Sequence, residues 1–174
     1  TVSNFTGRDS ETKSDYIRSE LAPECSVSDL TITNLSDVAF TVTWLTRGEC
    51  SGLVRWGPLP DALVRDSHDD RGSGVPRQTH HVTIGGVQPE QLIYFDIISG
   101  EIVEDNRGLH HSVNSLETLA QPPSRPVFGP VIQALGSTTS AGAIVYAQAD
   151  YGPDTARSQV FSTLVDTNEF WDLN

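Results

Sequence analysis

The chain has 174 residues, no methionine, and a single lysine, Lys13, among 11 basic residues. Cysteine occurs twice, and aromatic residues make up only 7% of the chain. Apolar runs are short. Ala143-Ile144-Val145-Tyr146-Ala147 is typical of the longest, far below the roughly 20 residues a membrane-crossing helix needs. The usual catalytic signatures are missing too: no G-x-S-x-G elbow, no H-E-x-x-H, no phosphate-cradling glycine loop and no C-x-x-C pair. The expectation is a non-enzymatic protein with no cofactor, no metal and no catalytic residue. Positive charge is scarce, with a formal net charge of -12 and a pI near 4.6. Such a surface repels phosphate backbones and anionic lipid, so neither nucleic acid nor a membrane is an expected partner.

A freshly translated chain begins with Met. One that begins at Thr1 is either processed or a piece of something longer. Removal of a secretion signal would explain this start and predicts an extracellular or cell-surface location. The cysteines agree. Cys25 precedes a strand predicted over Val27 to Thr33, and Cys50 follows one predicted over Val38 to Leu45. If these strands pair about a turn at Leu35-Ser36, Cys25 lies almost opposite the end of the second strand. A Cys25–Cys50 disulfide is then geometrically reasonable and suits an oxidising compartment. Two free thiols are the alternative.

What the chain does contain is short strands. Val38, Phe40, Val42 and Trp44 alternate with Thr41 and Thr43, the period of a strand with one buried face. Gly52 to Gly57, His81 to Gln88 and Leu92 to Ile98 follow, with Gly, Pro and Asp breaks between them. Trp44, then Val54-x-Trp56-Gly57, then the Gly86-Val87-x-Pro89 turn before an aromatic and aliphatic strand, resemble a fibronectin type III domain. The resemblance implies a β-sandwich over residues 25–119. The family places a Tyr where Ile93 stands. With Ile93, Phe95 and Ile97 pointing inward, Tyr94 would point outward.

Ala120 to Pro126 carries Pro122, Pro123 and Pro126 and reads as a stiff linker. From Val127 a second β pattern runs to the end, with turns at Gly152-Pro153-Asp154 and Asp166 to Glu169. It resembles the first half of a carboxypeptidase-regulatory or transthyretin-like sandwich, with Glu169 in the usual Gly place. That resemblance implies a second sandwich over 127–174, short of about three strands. The expected fold is therefore all-β: two Ig-like or fibronectin III-like sandwiches in tandem behind an extended arm, residues 1–24.

The arm is polar apart from Val2, Phe5, Tyr16, Ile17 and Leu21. It could pack on its own domain, or those residues could enter a neighbouring copy as a donor strand. The leading expectation is a secreted surface or filament subunit that forms a homo-oligomer or homopolymer through this arm. A spacer module of a larger secreted hydrolase is one alternative. A carbohydrate or adhesion module with Trp56, Tyr94, Tyr151 or Trp171 as platform is the other. Asn4-Phe5-Thr6 and Asn34-Leu35-Ser36 are glycosylation triplets, so a glycan at Asn4 or Asn34 is a further candidate. Asp66, Asp69 and Asp70 beside His68 do not have calcium-loop spacing. His80-His81 and His110-His111 cannot chelate as pairs in a strand, because neighbours point to opposite faces. Surface histidines are the expectation there.

Overall fold

The computed structural model describes residues 24–120, 126–131, 139–150 and 157–173. The arm residues Val2, Phe5, Tyr16, Ile17 and Leu21, the Asn4 triplet and Tyr151 lie outside them. Every regular element among the described residues is a strand, and no helix there could cross a membrane.

Strands β1 (Ser28–Thr33), β2 (Ala39–Cys50) and β5 (Arg77–Gly85) form a three-stranded antiparallel sheet in the order β1-β2-β5. A second sheet runs β4 (Arg65–His68), β3 (Gly52–Gly57), β6 (Leu92–Ser99). The far edge of β6 is shared: β8 (His111–Asn114) pairs with its first half and β7 (Ile102–Glu104) with its last residues.

The two sheets meet at one apolar core, an arrangement compatible with a β-sandwich. Phe40, Val42 and Trp44 of β2, and Val82 and Ile84 of β5, face Val54 and Trp56 of β3 and Ile93, Phe95 and Ile97 of β6. Every side chain in that set except Trp56 is wholly inaccessible to solvent. Burial of such side chains is worth about 1.5–3 kcal/mol each, so the alternation in sequence becomes the main source of cohesion. Tyr94 points away from the core, as the inward setting of its neighbours requires. Val38, expected to open β2, lies outside the strand and is 51% exposed. Its carbonyl instead accepts the amides of Gly86 and Val87.

Two glycines shape β3. A Cβ on Gly57 would stand 2.0 Å from the Ala62 carbonyl oxygen, and one on Gly52 2.3 Å from His80 Nδ1. Neither position admits a side chain without displacement of its neighbours.

Cys25 and Cys50 form the expected disulfide, with Cα atoms 5.7 Å apart. It pins the chain before β1 to the end of β2. The Glu24 carbonyl accepts the amides of Arg47 and Gly48 beside it.

The later residues form two-stranded ribbons. β10 (Ile144–Ala147) pairs with β11 (Phe161–Leu164), and β9 (Val127–Pro130) pairs with β12 (Phe170–Leu173). The turn expected at Asp166 to Glu169 joins the ribbons. Asp166 caps it by accepting the amides of Asn168 and Phe170.

Candidate functional site

Side chains alternate along a strand, so the back of the three-stranded sheet carries every second residue. Register makes these residues into rows: Thr33, Thr41 and Thr83 in one, Thr31, Thr43 and His81 in the next. A back face lined with hydroxyls would ordinarily face water. Here Thr33, Thr41, Thr43 and His81 are all at most 5% exposed. The β10–β11 ribbon covers them. Ile144, Tyr146, Ser162 and Leu164 share one face of that ribbon, and Tyr146 and Ser162 reach the sheet.

Ser162 is the centre of the contact. Its Oγ lies 2.6 Å from Thr33 Oγ1 and 3.0 Å from His81 Nε2. His81 Nδ1 lies 2.8 Å from Asp70 Oδ2. Asp70 also accepts the Thr83 hydroxyl at 2.7 Å and the Thr83 amide at 3.0 Å. Partial burial would raise the Asp70 carboxyl, but hydrogen bonds from His81 and Thr83 outweigh it and hold it below the usual carboxylate range. An ionised Asp70 only accepts, so with a neutral ring the proton sits on His81 Nδ1. Nε2 then accepts the Ser162 hydroxyl, and Ser162 Oγ accepts from Thr33.

Ser, His and Asp are thus connected as in a hydrolase relay. The setting is the reverse of a hydrolase. A nucleophile must meet substrate, yet Ser162 is 3% exposed while the Asp70 end of the chain opens to solvent. Ser162 sits inside a strand, and Asn34 uses its backbone. Asn34 Oδ1 accepts the Ser162 amide at 2.9 Å, and Asn34 Nδ2 donates to the Ser162 carbonyl at 2.9 Å. No Ser162 amide is left for an oxyanion. Lifting the ribbon would expose Ser162 but carry it away from His81. Chemically, the relay can bridge ribbon and sheet.

Asn34 is a clamp in its own right. Its φ of 51° lies in the left-handed region that Asn tolerates better than most residues. Its amide NH₂ also reaches Thr41 Oγ1 at 3.1 Å, and its backbone amide donates to the Val160 carbonyl. The expected exposed sequon is therefore a half-buried contact. A sugar on Nδ2 would require the ribbon to leave.

Two further pins hold the ribbon's flank. Tyr146 donates its hydroxyl to Thr43 Oγ1 at 2.8 Å. Arg71 donates to the Gly142 carbonyl at 2.7 Å and to the Thr79 carbonyl, while Asp69 grips its guanidinium at 2.8 and 2.9 Å. Burial alone would raise the Asp69 carboxyl. The hydrogen bonds and charge of Arg71, with the His81 amide, hold it below the usual range.

Beside these contacts the ribbon lifts from the sheet. An open cleft of about 560 Å³ remains, walled by Leu45, Ile144, Tyr146 and Val160, with Asp29 among its polar residues.

The histidines are not the surface residues expected. His80 points into the core, fully buried and stacked on Trp44 at 4.6 Å between ring centres. Burial pushes it down to about 4, only partly opposed by Asp69. His110 Nδ1 lies 2.7 Å from Asp96, and His111 stacks on Phe95. Asp66 pairs with the Arg55 guanidinium. The described residues hold no cluster of three or more His, Cys, Asp or Glu able to bind a metal. Of the candidate platform aromatics, Trp56 is 5% exposed, donates to Ser67 and lies under Arg65. Tyr94 and Trp171 are half-buried.

The Ser162 network escaped sequence reasoning because its members are far apart, His81 and Ser162 being separated by 81 in sequence number. A signal existed. Thr31 and Thr33, Thr41 and Thr43, and Thr79 and Thr83 with His81 between them alternate on the same side of β1, β2 and β5, too regularly for an ordinary wet face.

In comparisons with known proteins, the chain matches no protein-family model and no curated protein.

Proposed function

We propose that the chain is a secreted, non-enzymatic structural subunit of a cell surface or extracellular filament. In this reading its main body is a fibronectin type III-like sandwich, and copies join by β-strand complementation through the N-terminal arm.

The observation that carries the reading is the β9–β12 ribbon. Phe128 pairs with Asp172 and Phe170 with Pro130, which puts both phenylalanines on one face. They are 70% and 49% exposed, and Val127 on the other face is 59% exposed. Two-stranded ribbons are marginal alone. Among the described residues no further strand pairs with this ribbon, and an edge flanked by apolar side chains is what an added strand completes. The arm, with apolar residues at Val2, Phe5, Tyr16, Ile17 and Leu21, is the donor in this scheme. The strand order β1-β2-β5 against β4-β3-β6, with Trp44 in the core and Gly57 ending β3, supports the fibronectin III-like assignment. The disulfide supports an oxidising, extracellular setting. The burial of Ser162 supports a role other than catalysis.

Light scattering and negative-stain microscopy of the native protein test this. Regular assemblies are expected. Deleting Thr1 to Pro23 should abolish them while the tryptophan fluorescence of the folded core persists. A particle of one 18.9 kDa chain at every concentration overturns the reading. The spacer-module alternative then takes its place. Assembly that survives the deletion removes the arm as donor.

A further inference from the structure

We infer that the threonine-lined back of the β1-β2-β5 sheet is an exchangeable seat, and that a second copy's β10–β11 ribbon can occupy it in place of the chain's own. This goes beyond the arm-based reading, because the joint needs no residue of the arm.

The chemistry of the seat is the first argument. The sheet-to-sheet core is apolar and cannot open without exposing Phe40, Trp44 and Phe95. The seat is the opposite case. Thr31, Thr33, Thr41, Thr43, His81 and Asn34 are all polar, and water can hydrogen-bond each of them once the ribbon leaves. Detachment therefore strands no sheet-side donor or acceptor. Hydrogen bonds dominate the pins: Ser162 to Thr33 and His81, Asn34 to the Ser162 backbone, Tyr146 to Thr43, Arg71 to Gly142.

The connection is the second argument. Residues Leu116 to Ala120 are exposed throughout, and so are Pro126, Val127 and Phe128 on the other side of the Pro-rich stretch. That stretch carries Pro122, Pro123 and Pro126, the composition of a spacer. An element joined to its domain through a connecting segment can dock on a neighbour with the contacts it makes at home, which is the low-cost route to swapped dimers. The occupant is specified by fit: the side chains and backbone groups that match the seat are those of this same sequence.

The 2.6 Å between Thr33 Oγ1 and Ser162 Oγ supplies the test. Sulfurs placed there are close enough to bond with little movement. Full-length Thr33→Cys and Ser162→Cys variants with different tags are mixed at high concentration, oxidised mildly and run on a non-reducing gel. A covalent product carrying both tags is expected from the mixture. The Thr33→Cys/Ser162→Cys double variant should give both closed monomer and linked dimer. If the double variant closes only within one chain and the mixture yields no mixed-tag product, the inference is overturned. Arm-driven assembly without exchange would also leave the mixture unlinked at these positions, so the two readings fail separately. Should the variants not fold, isotope-filtered NMR on mixed labelled and unlabelled wild-type chains reads the same joint. Tyr146–Thr43 contacts between chains support exchange; contacts within one chain only refute it.

Discussion

His80 shows how one residue can set a pH limit on a fold. Its ring is enclosed between Trp44 and the Gly52 backbone and makes no well-formed hydrogen bond. The fold accommodates the neutral ring, with a pKa near 4 against 6.5 for an exposed histidine. The unfolded chain therefore takes up the proton first. Stability is complete above pH 6.5, declines as the pH falls toward 4, and stops changing from this source below that. The difference corresponds to roughly 3 kcal/mol. Asp69 and Asp70, both held below the usual carboxylate range, act in a different window. Their contribution is present above the unfolded carboxylate pKa and is lost at still lower pH. Urea midpoints at pH 7, 5.5 and 4 should thus fall in the wild type, and His80→Leu should flatten that fall. An equal slope in both proteins would show that the His80 ring does not carry it.

At the scale of elements, legibility followed burial. β2, β3 and β6 were readable because their apolar residues alternate and all face one core. β4 was not readable, since Arg65, Asp66 and His68 are exposed on an edge strand and leave no apolar period. β7 was hidden for a related reason: three residues completing the edge of β6 form too short a pattern to detect. The His81–Ser162 contact was unreadable because register and ribbon placement, not local pattern, bring it together. At Glu169 local pattern did help. The resemblance put a Gly there, and Glu169 has φ of 64°, where Gly is favoured. The disulfide is an element-scale device as well. It closes 25 positions across β1 and β2, and a Cβ on Gly100 would lie 3.0 Å from Cys25 Sγ. It therefore packs closely against Gly100 in the β6–β7 turn. Cys25→Ala/Cys50→Ala should lose about 2–4 kcal/mol in chemical denaturation. A midpoint unchanged by this replacement would mean that backbone hydrogen bonds from Glu24 to Arg47 and Gly48 already hold the end closed.

For the whole molecule, the described structure has two unlike interfaces: an apolar one between the sheets and a polar one beneath the ribbon. They should open at different free energies. Apolar burial makes the first cooperative, whereas the second can exchange protein partners for water and open locally. Asn34 separates the two experimentally. Asn34→Ala removes the paired contacts to the Ser162 backbone and puts a Cβ-bearing residue without a polar side chain at φ of 51°. Asn34→Gly removes the same amide but relieves the backbone, so the loss shared by both variants belongs to the clamp. That shared loss should be about 1–3 kcal/mol, the cost of leaving buried groups unpaired. Hydrogen exchange should locate it. Amides of β10 and β11, Ser162 first, should exchange at least about tenfold faster in both variants, since 1.4 kcal/mol is a factor of ten. Amides of β2, β5 and β6 should keep their protection. Uniform acceleration across all strands would mean that ribbon and sandwich open as one unit, and the seat would then be part of a single core rather than a surface on which one strand pair can replace another.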